Sequence, residues 1–180
     1  MTDDQRLLAA LAAIQARGAI GEASLQAAIA HADQFVGEIP ASALRVIDLG
    51  SGGGLPALVI AVRRPDLLIT LVERRATRAD LLSRAVASLA LEQHVSVFVG
   101  DVRDFAETSA SQADVVTARS FAAPQITAKW AGVLLASGGV LIVSEPPVDD
   151  PERWPSAVLD AAGLVDLGRR RGVRVFQRHT

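Results

Sequence analysis

Apolar residues follow two rhythms along this chain. Over residues 3–17 and 21–36 they recur at helical spacing, with Leu7, Leu8, Leu11 and Ile14, then Leu25, Ile29 and Phe35. That spacing predicts two amphipathic helices, broken between Gly18 and Gly21. From residue 44 onward, short β-branched and aliphatic runs alternate with helix-compatible stretches. Strands are expected near 44–49, 68–73, 95–99, 114–118, 139–144 and 172–177, and helices at about 54–64, 76–90, 123–135 and 151–162. Pro65, Gly100 and Gly138-Gly139 punctuate the breaks. A further apolar stretch at Leu164–Leu167, next to the last run, predicts an antiparallel hairpin at the sheet edge. The alternation marks a mostly parallel, seven-stranded sheet with crossover helices, an α/β fold. With no internal repeat and no linker, residues 1–180 read as one domain: a helical hairpin over 1–40 and a sheet core over 41–180.

The most informative stretch is Leu44–Pro56, LRVIDLGSGGGLP. A buried strand ends at Asp48-Leu49, glycines follow at 50, 52 and 54, and Pro56 falls early enough for a first helical turn. Strand, glycine turn and helix in that order present backbone N–H groups to a polar ligand. A dinucleotide fingerprint needs glycine or alanine where this chain has Leu55. The spacing present, Asp-x-Gly-x-Gly-x-Gly, resembles motif I of class I S-adenosylmethionine (SAM) methyltransferases. Asp48, Gly50, Ser51, Gly52 and Leu55 are therefore candidate SAM-binding positions. Glu73, closing the next apolar run, could accept from both ribose hydroxyls.

Composition narrows the chemistry. The chain contains no cysteine, which excludes disulfides, zinc–thiolate sites and thiol nucleophiles. Neither a metal site nor a membrane-spanning run is expected, and the acidic start is unlike a secretory leader, so a cytoplasmic location is anticipated. Net charge is −2, so the whole molecule does not read as a nucleic-acid binder. The positive charge is nonetheless nearly all arginine, clustered at 74–84 and 169–178, with Lys129 the sole lysine. Arginine suits phosphate and carboxylate; the alternative is solvated faces paired with nearby acids.

Ligands of open α/β sheets bind at the carboxyl ends of the strands. There the chain places Asp48 and its turn, Glu73, Asp101-Val102-Arg103, Arg119-Ser120-Phe121 and Ser144-Glu145. Asp101 could accept from an adenine amino group, or cap the short helix that follows. An arginine directly after the Val115–Ala118 run would face the cleft, making Arg119 a candidate catalytic and binding residue. Phe121 either stacks on a base or packs in the core. His31 reads as a packing or surface residue of the second helix.

DLGSGGGLP, RRPDLLITLVERRATRADLL, VVTARSFAAP and the GGVLIVSE strand together resemble the small-subunit (16S) rRNA guanine-N7 methyltransferase family, also called the glucose-inhibited-division B family. The resemblance implies the class I SAM-methyltransferase Rossmann-like fold, SAM as cofactor and rRNA or the small ribosomal subunit as partner. It also implies that Gly50, Leu55, Asp101–Arg103 and Arg119 are cofactor or active-site positions, and it matches Arg78 to a basic residue of the family. The chain departs from the family at Thr77, where a lysine is usual, and at Ser144-Glu145-Pro146, where the family has Leu-Lys-Gly. An N7 acceptor has no proton to lose, so no general base is expected; Glu145 is a candidate for stabilising positive charge on the purine. A small-molecule methyltransferase and a SAM-binding paralogue without catalysis remain the alternatives.

Overall fold

A computed structural model describes residues 2–108 and 112–179. One seven-stranded sheet organises the chain, in the order β3-β2-β1-β4-β5-β7-β6. Strands β1 (Arg45–Leu49), β2 (Leu68–Glu73), β3 (Val95–Val99), β4 (Ala113–Ala118) and β5 (Leu135–Ser144) run parallel. β7 (Val173–Arg178) inserts antiparallel between β5 and β6 (Leu164–Arg170), so the expected edge hairpin is present.

Alternate strand residues feed two separate cores. Val46, Ile69, Leu71, Val115 and Ile142 pack under α1 (Asp3–Gln15), α2 (Leu25–Glu38), α3 (Ala57–Arg63) and α4 (Ala76–Ser88). Ile47, Val72, Val116, Leu141 and Val143 pack on the other face with α5 (Val102–Thr108), α6 (Pro124–Leu134) and α7 (Ser156–Ala162). Burial on both faces is why these strands read as continuous apolar runs. The N-terminal hairpin is part of the first layer, with Leu7, Leu11, Ile14 and Phe35 fully or almost fully buried.

Three elements differ from the sequence expectation, each for a local reason. The second helix starts at Leu25, because the Ser24 hydroxyl accepts from the Ala27 N–H and caps it there. The stretch expected to be helical over 151–162 splits at Pro155 into a single 3-10 turn, Pro151–Arg153, and α7. Gly138-Gly139 lie inside β5 rather than before it, at the register shift against β4. A Cβ on Gly139 would sit 2.9 Å from the Asp114 carbonyl oxygen, so only glycine fits the bulge. Among the described residues no helix is long and apolar enough to cross a membrane.

Glycine also sets how closely α6 meets α7. A Cβ on Gly132 would run into the Ala162 carbonyl oxygen, whereas one on Gly37 of α2 meets nothing within 4 Å. Gly132→Ala should therefore destabilise the fold by about 1–3 kcal/mol through overpacking. Gly37→Ala should leave stability unchanged or raise it by up to about 1 kcal/mol. Urea midpoints of the two variants against the parent check both signs.

Candidate functional site

The strand order reverses between β1 and β4, so the loops leaving them diverge and open a cleft at their carboxyl ends. Side-chain parity decides what faces it. Val46, Leu71 and Val115 point into the α1–α4 layer. Two residues on, Asp48, Glu73 and Thr117 share that face, and Arg119 continues the row just past β4.

The glycine turn is fastened to β2. Gly50 and Ser51 donate to the Val72 carbonyl at 2.9 and 3.1 Å. Gly52 donates its N–H to Glu73 Oε2 at 2.9 Å, and Arg75 donates its own to Oε1 at 2.8 Å. Each Glu73 oxygen keeps a second lone pair for a ligand hydroxyl. Gly50 takes φ +66°, and a Cβ there would lie 2.7 Å from the Phe121 ring. Gly53 is required for a different reason. Its Cβ would strike Ile20 and lie 2.8 Å from the Ala19 carbonyl oxygen, because the loop joining α1 to α2 closes directly over the turn. The helical hairpin is therefore both a packing layer and a roof.

Two adjoining cavities result. One, of about 480 Å³, lies between Glu73, Asp101, Val102 and Phe121, with Arg74, Arg75, Arg78 and Arg103 around its rim and Ile126 and Trp130 beyond. The other, of about 290 Å³, is enclosed by Ala19–Gly21, the turn at 50–53, Leu55 and Arg119. They share Gly50, Arg78 and Ser120. Asp101 also caps α5: its Oδ1 accepts from the Arg103 N–H at 3.0 Å. Of the residues given catalytic or cofactor-binding roles from sequence, all but two line these cavities.

Asp48 is the first exception. It lies beneath the turn, fully buried, with Oδ1 accepting from the Thr117 hydroxyl at 2.6 Å and Oδ2 without a partner among the described residues. Burial pushes its carboxyl up to about 6; Thr117, Ser51 and Arg119 pull it back and Glu73 pushes it further up. Burial likewise lowers the Arg119 guanidinium against the pull of Asp48, yet arginine stays a cation. Arg119 Nη1 is buried without a partner among the described residues. His31 packs its ring at 5.6 Å from Phe35, as expected, but it also senses this centre. Burial and then the Arg119 charge push its imidazole below the usual value, so it is neutral at pH 7.

Glu145 is the second exception and corrects the expectation of a role at the acceptor. One residue past Ser144, it falls on the opposite sheet face from Asp48 and Arg119. Its side chain is fully buried, Oε1 accepts from Trp154 Nε1 at 2.9 Å, and Arg153 Nε stands 3.4 Å away. It lines neither cavity and anchors the segment before α7. Counting parity from Val143 would have revealed this. Gly53 and the Ala19–Gly21 loop escaped the sequence reading, because their contact joins segments distant in sequence; Ser120, named at its strand end, takes φ +55°.

The Asp48 environment carries a pH signature. Its folded value of about 6 exceeds the 3.8 of an ordinary carboxyl. The proton is thus held better in the folded state, and this contribution to stability is lost as pH rises through about 6. Asp48→Asn should stabilise the ligand-free protein by up to about 3 kcal/mol above pH 7. The gain should shrink toward zero as pH falls to 4. Denaturant titrations at several pH values measure it; a gain independent of pH would refute this account of Asp48.

Comparison with known proteins identifies the family and the fold. Residues 14–145 match the family model described as rRNA small subunit methyltransferase G (GidB). A ribosomal RNA small subunit methyltransferase G of Acidothermus cellulolyticus is 39% identical over 132 residues, covering 73% of this chain and 55% of that protein. Its counterpart in Salinispora tropica is 45% identical over 101 residues, covering 54% and 42%. The chain spans about half the length of the curated relatives it matches. Among solved structures, an O-methyltransferase family protein from Burkholderia thailandensis superposes with a TM-score of 0.68 at 21% identity, covering 83% of this chain and 55% of that one. An O-methyltransferase from Bacillus cereus in complex with SAH gives 0.62 at 16% identity, covering 96% and 89%. At such identities the likeness is one of fold, the class I methyltransferase sheet. On the match of sequence and family model, the chain belongs to the rRNA small subunit methyltransferase G (GidB) family.

Proposed function

We propose that this chain binds SAM across the two cavities and directs its methyl group to guanine N7 of small-subunit rRNA. The observation that carries the reading is the buried Nη1 of Arg119 beside the glycine turn, which has no partner among the described residues. An unpaired cation in such a place is costly, and a carboxylate of the size of an amino-acid headgroup would satisfy it. The residues fit the rest of the cofactor as well. Glu73 has lone pairs open for ribose hydroxyls, Asp101 and the Val102 N–H suit an adenine edge, and the Phe121 ring lines the same cavity. When bound, SAM supplies a methyl group already activated by its sulfonium.

The chain's own task is then alignment. Arg119 fixes one end of the donor and Glu73 the other, while the Ala19–Gly21 roof excludes water over the turn. Guanine N7 offers a lone pair and no proton, so transfer there needs no general base. Family membership supports the rRNA acceptor.

Calorimetric titration with SAM should give a single site, weakened about 10- to 100-fold by Arg119→Ala, the range of one charge-assisted hydrogen bond. Labelled SAM with small subunits from a strain lacking this protein should then place label at a guanine N7. Transfer only into a metabolite extract would replace rRNA with a small acceptor. SAM binding without any transfer would leave a non-catalytic binder, and no heat at all would remove the cofactor.

A further inference from the structure

We propose that acceptor RNA lies along the α4–α5 side of the cleft, its phosphates held by Arg74, Arg75, Arg78 and Arg103, rather than on the arginine-rich hairpin at the other flank. The proposal rests on the RNA reading above and adds the face on which the strand runs.

The two flanks differ in which arginines are already engaged. On the β5–β7 flank, Arg169 pairs with Asp149 at 3.2 Å and donates to the Pro146 carbonyl at 2.6 Å. Arg174 pairs with Asp166 at 2.6 Å and Asp149 at 3.4 Å, Arg170 with Glu38 at 3.5 Å, and Arg153 with Glu145. Arg178 reaches the Leu135 carbonyl at the far edge of the sheet. That cluster, the densest in the sequence, is largely neutralised within the fold; Arg171 alone of its members makes none of these contacts.

The rim of the 480 Å³ cavity is the reverse. Arg74, Arg75, Arg78 and Arg103 form no ion pair among the described residues, and three of them are exposed. Two carboxylates face these four guanidinium groups from within the cavity. Both Glu73 oxygens accept backbone N–H groups, and Asp101 Oδ1 accepts the Arg103 N–H. SAM does not account for the surplus, since it carries no phosphate and its one carboxylate suits Arg119. An uncompensated arginine rim therefore calls for anions outside the cofactor, and planar guanidinium groups match phosphate oxygens.

The opposite wall fits the same ligand. Ile126 is 49% exposed beside the Trp130 ring, over which Lys129 Nζ stands at 5.2 Å. A basic wall facing an apolar, aromatic one is how unpaired strands are held, phosphates to one side and base faces to the other.

The test compares Arg74→Gln/Arg75→Gln with Arg170→Gln/Arg171→Gln, all four side chains being exposed. Binding of a short guanine-containing oligoribonucleotide is followed by anisotropy across a salt series, with SAM calorimetry as the folding control. The rim variant should reduce the slope of log K against log salt by about 1.4, two phosphate contacts on a single strand, while still titrating with SAM at a single site. The hairpin variant should leave most of the slope in place. A slope lost in the hairpin variant and kept in the rim variant would overturn the proposal while leaving the RNA reading intact. Parent protein showing neither salt-dependent RNA binding nor label on small subunits would overturn both.

Discussion

The carboxylate of Glu73 holds the site together. It sits at the end of β2 and accepts from the backbone on both sides, Gly52 in the turn after β1 and Arg75 at the start of α4. Hydrogen bonds to a charged group contribute roughly 1.5–3 kcal/mol each, and here two of them join segments more than twenty residues apart in sequence. These bonds add to those of Gly50 and Ser51 on the Val72 carbonyl, in a turn whose glycines contribute no side-chain packing and cost conformational freedom. With Glu73 in place, the turn has one shape, Arg78 and Ser120 border both cavities, and the Ala19–Ile20 backbone can close on Gly53. A residue that looks from sequence like a ligand contact is thus first a structural clamp, and any ribose would meet an acceptor already oriented.

The second constraint is the two-residue period of the strands. It collects Asp48, Glu73, Thr117 and Arg119 on the face covered by α1–α4 and places Glu145 with Trp154 on the other. Much of this was legible in the sequence: the strands, the glycine turn and the edge hairpin follow from periodicity and spacing, and strand-end position with the family resemblance brought out residues 50–52, 55, 73, 101–103 and 119, whereas Ala19–Gly21, Gly53, Ile126 and Trp130 line the cavities without any such signal. Glu145 was misjudged because standing at a strand end does not say on which face a residue points. Parity supplies that, but only with the strand boundary known to the residue. The break at Pro155 was likewise legible in principle, and the apolar pattern on either side of it concealed it.

Charge was the least legible property, for a physical reason. Some of the ion pairs join residues far apart in sequence: Arg63 meets Asp4 and Asp33, and Arg170 meets Glu38. Local density of arginine therefore misleads. The run at 169–171 looks like the better anion site and is mostly engaged internally. The scattered set at 74, 75, 78 and 103 becomes a surface only when the ends of β2 and β3 come together. Exposed pairs of this kind add little to stability, but they do remove cations from those available to a ligand.

The remaining polar groups are arranged against stability. Asp48 and Arg119 are buried or half-buried with an orphan atom each, and Asp48 feels Glu73 as a like charge. A fold selected for stability alone would have no reason to keep them. Pairing the two directly would relieve both atoms, yet Thr117 holds one Asp48 oxygen while Arg119 lines the cavity instead. The fold thus keeps an oriented cation at the glycine turn with a carboxylate behind it, and its polar groups need no reorganisation when a ligand arrives. Whatever satisfies Arg119 must also stabilise the protein, because binding to the folded state and folding are one linked equilibrium. The desolvation carried by the Arg119 cation is a cost that a correctly shaped carboxylate ligand would offset.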